Sequence, residues 1–194
     1  MLKTKGKFLE VRWHARAGQG AKSAAQILAE AALDHGKYAQ AFPEYGAERS
    51  GAPMRAFNKI GEEFIRSHSP VLTPDVVVVL DDTLIGSAPI SDGTDEESVL
   101  IVNTTKSPEW VKEKTGFKGK ICILRATDIA LEEIGRGMPN TVMLGALIKV
   151  TGAIPLEAVE NRIKSTLGKK LPEKVVEGNL KALRRGYEEV RCVG

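Results

Sequence analysis

Cysteine is nearly missing from this sequence: of 194 residues only Cys122 and Cys192 are cysteines. They stand far apart and in no CxxC pattern, so neither a disulfide framework nor a self-contained metal or iron–sulfur site is indicated, and a reducing cytoplasm fits best. Long apolar runs are missing too. None approaches the roughly 20 residues of a spanning helix, and residues 1–20 are charged, without the apolar centre of an export signal. Charge of one sign is not in excess. The 28 basic and 25 acidic residues give a formal +3, mixed along the chain, with no basic block to serve as a nucleic-acid footprint. Internal repeats, low-complexity tracts and linkers are likewise absent. The length suits one domain, residues 1–194, with a full hydrophobic core.

What is present begins with alternation. Leu9, Val11 and Trp13 against Glu10 and Arg12 predict a first strand with one face buried. The segment 21–35 sets Ala21, Ala24, Ala25, Leu28, Ala31 and Ala32 on one face and Lys22, Gln26, Glu30 and Asp34 on the other, a helix closed by Gly36. Tyr38–Phe42 predicts a second strand, completing a strand–helix–strand unit whose usual solution is a right-handed parallel crossover. Residues 43–53 are too rich in Gly and Pro for a regular element and are expected to be a loop. Met54–Ile60 resumes alternation, and Gly61-Glu62-Glu63 predicts a hairpin turn into a short strand at 64–67.

Val76–Leu80 is the most continuous apolar run and predicts a central strand, with Val99–Val102 and Lys120–Leu124 of the same kind. Helices are expected at 108–115, 129–134 with Ala126-Thr127-Asp128 as its cap, 140–150, 155–167 and 172–190. Strands in the first two-thirds and helices at the end imply an α/β fold: one three-layer α/β/α domain with a mostly parallel sheet.

The stretch Arg16-Ala17-Gly18-Gln19-Gly20-Ala21-Lys22-Ser23 joins the first strand to the first helix. It fails the GxxxxGK[ST] spacing of a nucleotide-triphosphate loop, and a dinucleotide GxGxxG reading finds no ribose-binding acid at the tip of the second strand. Two readings remain. Backbone N–H groups at the helix start, with Lys22 and Arg16 nearby, hold a phosphate or pyrophosphate; or the glycines only let the helix begin close to the sheet. Nothing in the turn is a nucleophile with a base beside it.

In the loop Glu44-Tyr45-Gly46-Ala47-Glu48-Arg49-Ser50-Gly51, an interface role is favoured over proton transfer by Glu44 or Glu48. His14, His35 and His68 show no metal spacing and are expected to be structural or exposed. Asp81 and Asp82 end the central strand, where α/β proteins bind ligands, or they cap a turn. Lys181, Arg184, Arg185 and Arg191 interleave with Glu188 and Glu189 as a solvated or subunit-facing surface.

Together, residues 16–22 and Phe42-Pro43-Glu44-Tyr45-Gly46-Ala47-Glu48-Arg49-Ser50-Gly51-Ala52-Pro53, leading to Arg55-Ala56-Phe57, closely resemble the gamma subunit of pyruvate:ferredoxin oxidoreductase and related 2-oxoacid:ferredoxin oxidoreductases. The likeness continues through Asp75–Val79, Asn103-Thr104 and Asn140–Ala146, with Ala17 where the family pattern has Gly. The resemblance implies a complex that converts a 2-oxoacid and coenzyme A to acyl-coenzyme A and CO2 and passes electrons to ferredoxin. It also implies thiamine diphosphate with Mg2+ on the alpha and beta chains and [4Fe-4S] clusters on the beta and delta chains. No GDG segment and too few cysteines for a cluster agree with that division. The gamma chain is then expected to be cytoplasmic, non-catalytic and free of cofactors of its own, packed on alpha and beta in a complex that also holds delta. Arg16, Gly18, Gln19, Gly20, Lys22 and Ser23 are expected at a coenzyme A or phosphate site, and Glu44, Tyr45, Gly46, Glu48, Arg49 and Ser50 at a subunit interface or facing the active site. A stand-alone Rossmann-like nucleotide-binding protein is the alternative.

Overall fold

A computed structural model describes residues 2–45 and 51–194. Seven strands form one sheet: β1 (Leu9–Arg16), β2 (Tyr38–Tyr45), β3 (Pro53–Gly61), β4 (Val76–Val79), β5 (Val99–Asn103), β6 (Lys120–Leu124) and β7 (Arg191–Val193). Their order across the sheet is β2-β3-β1-β4-β5-β6-β7. Strands β1, β4, β5 and β6 pair in parallel, and β3 runs antiparallel between β1 and β2. As a result β2 points the same way as β1, and β7, antiparallel to β6, closes the far edge.

The described residues also form six α-helices: α1 (Ala21–Asp34), α2 (Pro108–Thr115), α3 (Ala126–Ile134), α4 (Asn140–Thr151), α5 (Leu156–Leu167) and α6 (Glu173–Glu189). One face of the sheet packs against α1 and α3–α6 through the large core that contains Trp13, Leu28, Met143, Leu144 and Leu183. A smaller core on the opposite face gathers Val77, Leu84, Leu100, Val111 and Phe117 under α2 and the 80–98 connection. The helices therefore flank the sheet on both sides, but unequally.

The Ala-rich face of α1 is fully buried, and its small side chains bring the helix axis close to the strands. A buried polar chain pins it there. Trp13 Nε1 donates to Asn58 Oδ1 at 2.8 Å, and Asn58 Nδ2 donates to the Ala25 carbonyl at 2.8 Å. With Trp13 and Asn58 both at 0% exposure, each polar atom must find such a partner, which fixes the depth of α1 against β1 and β3. At the crossing of α4 and α6 the backbones touch: a Cβ on Gly186 would lie 2.0 Å from the Val142 carbonyl oxygen.

Several expectations change. The first and second strands run in the same direction as predicted, but β3 lies between them, because the β2–β3 connection returns the chain antiparallel. Residues 43–45 belong to β2 and not to a loop. Pro43 is tolerated because β2 is the sheet's edge, where a missing N–H costs no central ladder bond. No strand forms at 64–67; Phe64 to Val71 is irregular chain laid over the β2–β3 ribbon, with Gln40 Nε2 donating to the Ile65 carbonyl. Helix α3 starts at Ala126 without a side-chain cap. Finally, Cys122 and Cys192 form a disulfide. The unpredicted strand β7 places Cys192 opposite Cys122 on β6, so two residues 70 apart in sequence become cross-strand neighbours.

Candidate functional site

The carboxyl ends of β4, β5 and β6 open into a cleft of about 390 Å³. Asp81 and Asp82 follow β4, Asn103 and Thr104 end β5, and Thr127 and Asp128 lie on the first turn of α3. Gln19, from the β1–α1 turn, and Pro139, before α4, close the cleft from the other side. This is the edge at which parallel sheets gather helix starts, and α1, α3 and α4 all begin here with no side-chain cap. Their first N–H groups and dipoles give the region an affinity for negative charge.

The 16–20 turn is fastened to this cleft by its own side chains. Gln19 Oε1 accepts from the Arg16 backbone N–H at 2.7 Å, and Gln19 Nε2 donates to Asp81 Oδ2 at 2.7 Å. Arg16 Nε lies 3.3 Å from the same carboxylate oxygen, while its guanidinium also donates to Thr83 Oγ1 and the Gly51 carbonyl. Burial raises the Asp81 pKa, but hydrogen bonds from Thr83 and Gln19 and the Arg16 charge outweigh it and hold the carboxyl below its ordinary value. Gly18 and Gly20 take φ of 97° and 83°, the left-handed conformation this reversal needs.

Of the residues expected at a phosphate site, the structure brings Arg16, Gln19 and the two glycines into one hydrogen-bonded turn. Arg16 is committed to protein partners there. Lys22 and Ser23 are exposed on the first turn of α1 and stand outside the cleft lining, and Lys22 has no hydrogen bond or ion pair among the described residues. Of the second set, Gly46, Glu48, Arg49 and Ser50 lie outside the described residues; Tyr45 ends β2, and Glu44 faces Arg55, with Nη2 and Oε2 2.8 Å apart.

Asp81 does cap a turn, accepting from the Thr83 N–H, and it also lines the cleft. Arg184 and Arg185 form surface ion pairs with Glu160, Glu132, Glu133 and Glu189. Sequence reasoning missed the roles of Thr104, which donates to Asp82 Oδ2 at 2.6 Å, and of Thr127, which links to Asn103 through both its N–H and its hydroxyl. Their positions after apolar runs were the available signal.

Among the described residues the cleft is lined by no histidine, cysteine or lysine. Neither cysteine can offer a thiolate to an iron–sulfur cluster, because the two bond each other. Among the described residues no group of three or more His, Cys, Asp or Glu could hold a metal ion, and no helix is long and apolar enough to cross a membrane. The residues present thus fit a binding surface and do not fit a cluster.

Comparison with known proteins identifies the family. The family model for pyruvate ferredoxin/flavodoxin oxidoreductase matches residues 10–189. Pyruvate synthase subunit PorC of Thermotoga maritima is 65% identical over 186 residues, covering 96% of both chains. The common gamma subunit of the pyruvate/ketoisovalerate oxidoreductases of Pyrococcus furiosus is 48% identical, covering 94% of this chain and 97% of that one. The crystal structure of pyruvate oxidoreductase subunit PORC from Thermotoga maritima superposes with a TM-score of 0.89 at 60% identity, covering 97% of this chain and 100% of that chain. The stand-alone Rossmann-like alternative finds no support: β3 separates β1 from β2, so no ribose-binding strand adjoins the glycine turn. This chain belongs to the pyruvate ferredoxin/flavodoxin oxidoreductase family, among its gamma-type subunits.

Proposed function

We propose that the chain acts, as one domain over residues 1–194, as the non-catalytic gamma subunit of a cytoplasmic 2-oxoacid:ferredoxin oxidoreductase whose substrate is pyruvate. Alpha, beta and delta chains are its partners. Thiamine diphosphate, Mg2+ and [4Fe-4S] clusters sit on those chains, and electrons leave through them to ferredoxin. The names of the relatives support the substrate, and the lack of free thiols and metal-binding clusters among the described residues supports the division of labour. A disulfide does not exclude the cytoplasm, since intracellular proteins of hyperthermophiles carry them.

Within that complex the chain forms one wall of the coenzyme A site. The observation that carries this is the clamped turn: Gln19 and Arg16 fix the backbone on Asp81, leaving the uncapped start of α1 turned outward with Lys22, which has no ion pair among the described residues. Coenzyme A phosphates seat on the N–H groups of 21–23 and on Lys22, while Arg16 acts through the shape of the turn. The segment with Glu44 and Tyr45 at the end of β2, followed by Gly46, Glu48, Arg49 and Ser50, docks on the catalytic chains.

Replacing Lys22→Ala in the assembled complex removes one phosphate contact, worth about 1–2 kcal/mol, and raises the KM for coenzyme A roughly tenfold with little change in kcat. An unchanged KM in a fully assembled complex would overturn the assignment.

A further inference from the structure

The two edges of the sheet are held in different ways. At one edge β2 is eight residues long and lies under the 64–71 segment, where the His68 and Phe42 rings stack 4.4 Å apart and Gln40 Nε2 donates to the Ile65 carbonyl. At the other edge β7 has three residues, Arg191, Cys192 and Val193, all exposed. They pair antiparallel with Ile123, Cys122 and Ile121 of β6. Among the described residues no side chain of 191–194 makes a hydrogen bond or an ion pair. Ordering a chain end costs backbone entropy, and three exposed ladder positions return little, since each of their hydrogen bonds replaces one to water. What remains is the covalent tie from Cys192 to Cys122.

This weakly held strand closes a space. A cavity of about 540 Å³ is lined by Arg191 and Glu188 near the end of the chain and by Thr104, Lys106 and Arg125 beyond β5 and β6. Thr104 and Arg125 also line the cleft at the carboxyl ends of β4 to β6. The start of β7 is therefore a wall of the space that adjoins the candidate site.

We infer that the Cys122–Cys192 bond is a redox latch: oxidised, it keeps β7 on β6 and the cavity walled; reduced by a dithiol, it lets residues 191–194 leave the sheet. Cys122 is wholly buried and Cys192 exposed, so the reductant approaches from the Cys192 side. One reductant thiolate attacks the Cys192 sulfur, the bond to Cys122 breaks, and Cys122 leaves as a thiolate that takes up a proton. The second reductant thiol loses its proton and attacks the mixed disulfide, and Cys192 leaves as a thiolate that is protonated in turn. Two electrons have passed to the cystine, and the dithiol has become its own disulfide. Cys122 then stays in the core as a small apolar side chain, while Arg191 is withdrawn from the cavity wall. The latch is independent of the coenzyme A reading, since it uses none of Gly18–Ser23.

The oxidised full chain, the same chain reduced with dithiothreitol, and Cys192→Ser are compared without denaturant by amide hydrogen exchange and by carboxypeptidase digestion. In the reduced chain and the variant, carboxypeptidase should remove residues 191–194 at least tenfold faster than in the oxidised chain. The β6 amides that point toward β7 should exchange at least tenfold faster, those that point toward β5 should change less than twofold, and reoxidation should restore the reduced chain. A bond that dithiothreitol leaves intact would overturn the inference, as would a reduced chain or variant that keeps the oxidised rates. Equal acceleration of the β5-facing and β7-facing amides would also overturn it, because the bond would then staple the whole domain and not one strand.

Discussion

Asn140, the first residue of α4, donates from Nδ2 to the Gly20 carbonyl at 3.3 Å, and the same side chain fills the space where a Cβ on residue 20 would stand. Built on Gly20, that carbon would lie 2.5 Å from Asn140 Nδ2 and 3.0 Å from Asn140 Cβ. The starts of α1 and α4 are therefore seated against each other, and the glycine is what lets them meet.

Gly20→Ala should destabilise the chain by about 2–3 kcal/mol, combining left-handed backbone strain with displacement of Asn140. Gly18→Ala, at φ 97° but with nothing within 4 Å of its Cβ, meets the backbone term alone, about 1 kcal/mol. Urea unfolding of the two variants checks the difference. Equal losses would show that the contact with Asn140 contributes nothing.

Stability should fall on mild acidification because of His14. Its pKa drops from 6.5 to about 3 on folding, so below 6.5 the unfolded chain takes up a proton that the native chain refuses. Stability is then complete above pH 6.5 and declines toward pH 3 by at most about 1.4 kcal/mol per unit. Asp81, whose pKa is lowered, adds its own loss only once the pH reaches the carboxylate range. Urea midpoints at pH 7, 6 and 5 should decrease in order in the native sequence. His14→Gln should flatten that series, and an equally steep series in the variant would remove His14 as the cause.

Reduction should also destabilise the chain. The Cys122–Cys192 bond closes a loop with a sequence separation of 70 that includes α3 to α6, and Cys192 is exposed to reductant. Constraint of the unfolded chain by such a loop is worth about 2–4 kcal/mol, which for a chain of this length lowers the thermal midpoint by roughly 5–15 °C. Scanning calorimetry with and without a phosphine reductant measures this, with Cys192→Ser as the matched variant. An unchanged midpoint would show that β7 is held by its ladder alone.

Much of the local structure was legible. The apolar runs at 76–80, 99–102 and 120–124 correspond to β4, β5 and β6, and the four–three spacing from Val176 to Tyr187 marks the buried side of α6. Such patterns are local, because each reports which side of one element avoids water. Strand order is not local. That β3 enters between β1 and β2, and that β7 adds itself to β6, depends on pairings between distant segments that no single window contains.

The glycine turn shows the same division. Its residue types alone made it a strand-to-helix reversal with free N–H groups, because Gly18 and Gly20 permit the left-handed conformation. That Arg16 would be spent on Asp81 and Thr83, leaving Lys22 unpaired among the described residues, was decided only when β4 came to lie beside β1. Alternation in β1 named Glu10 and Arg12 as a polar face, which His14 continues, but it could not say that the face is dry. The 84–92 connection covers it, so Arg12 and His14 must satisfy each other inside the protein. Sequence by itself determined most of the elements, the family and the polarity of each face; tertiary structure decided which polar groups lose their water, since burial is set by segments far away along the chain.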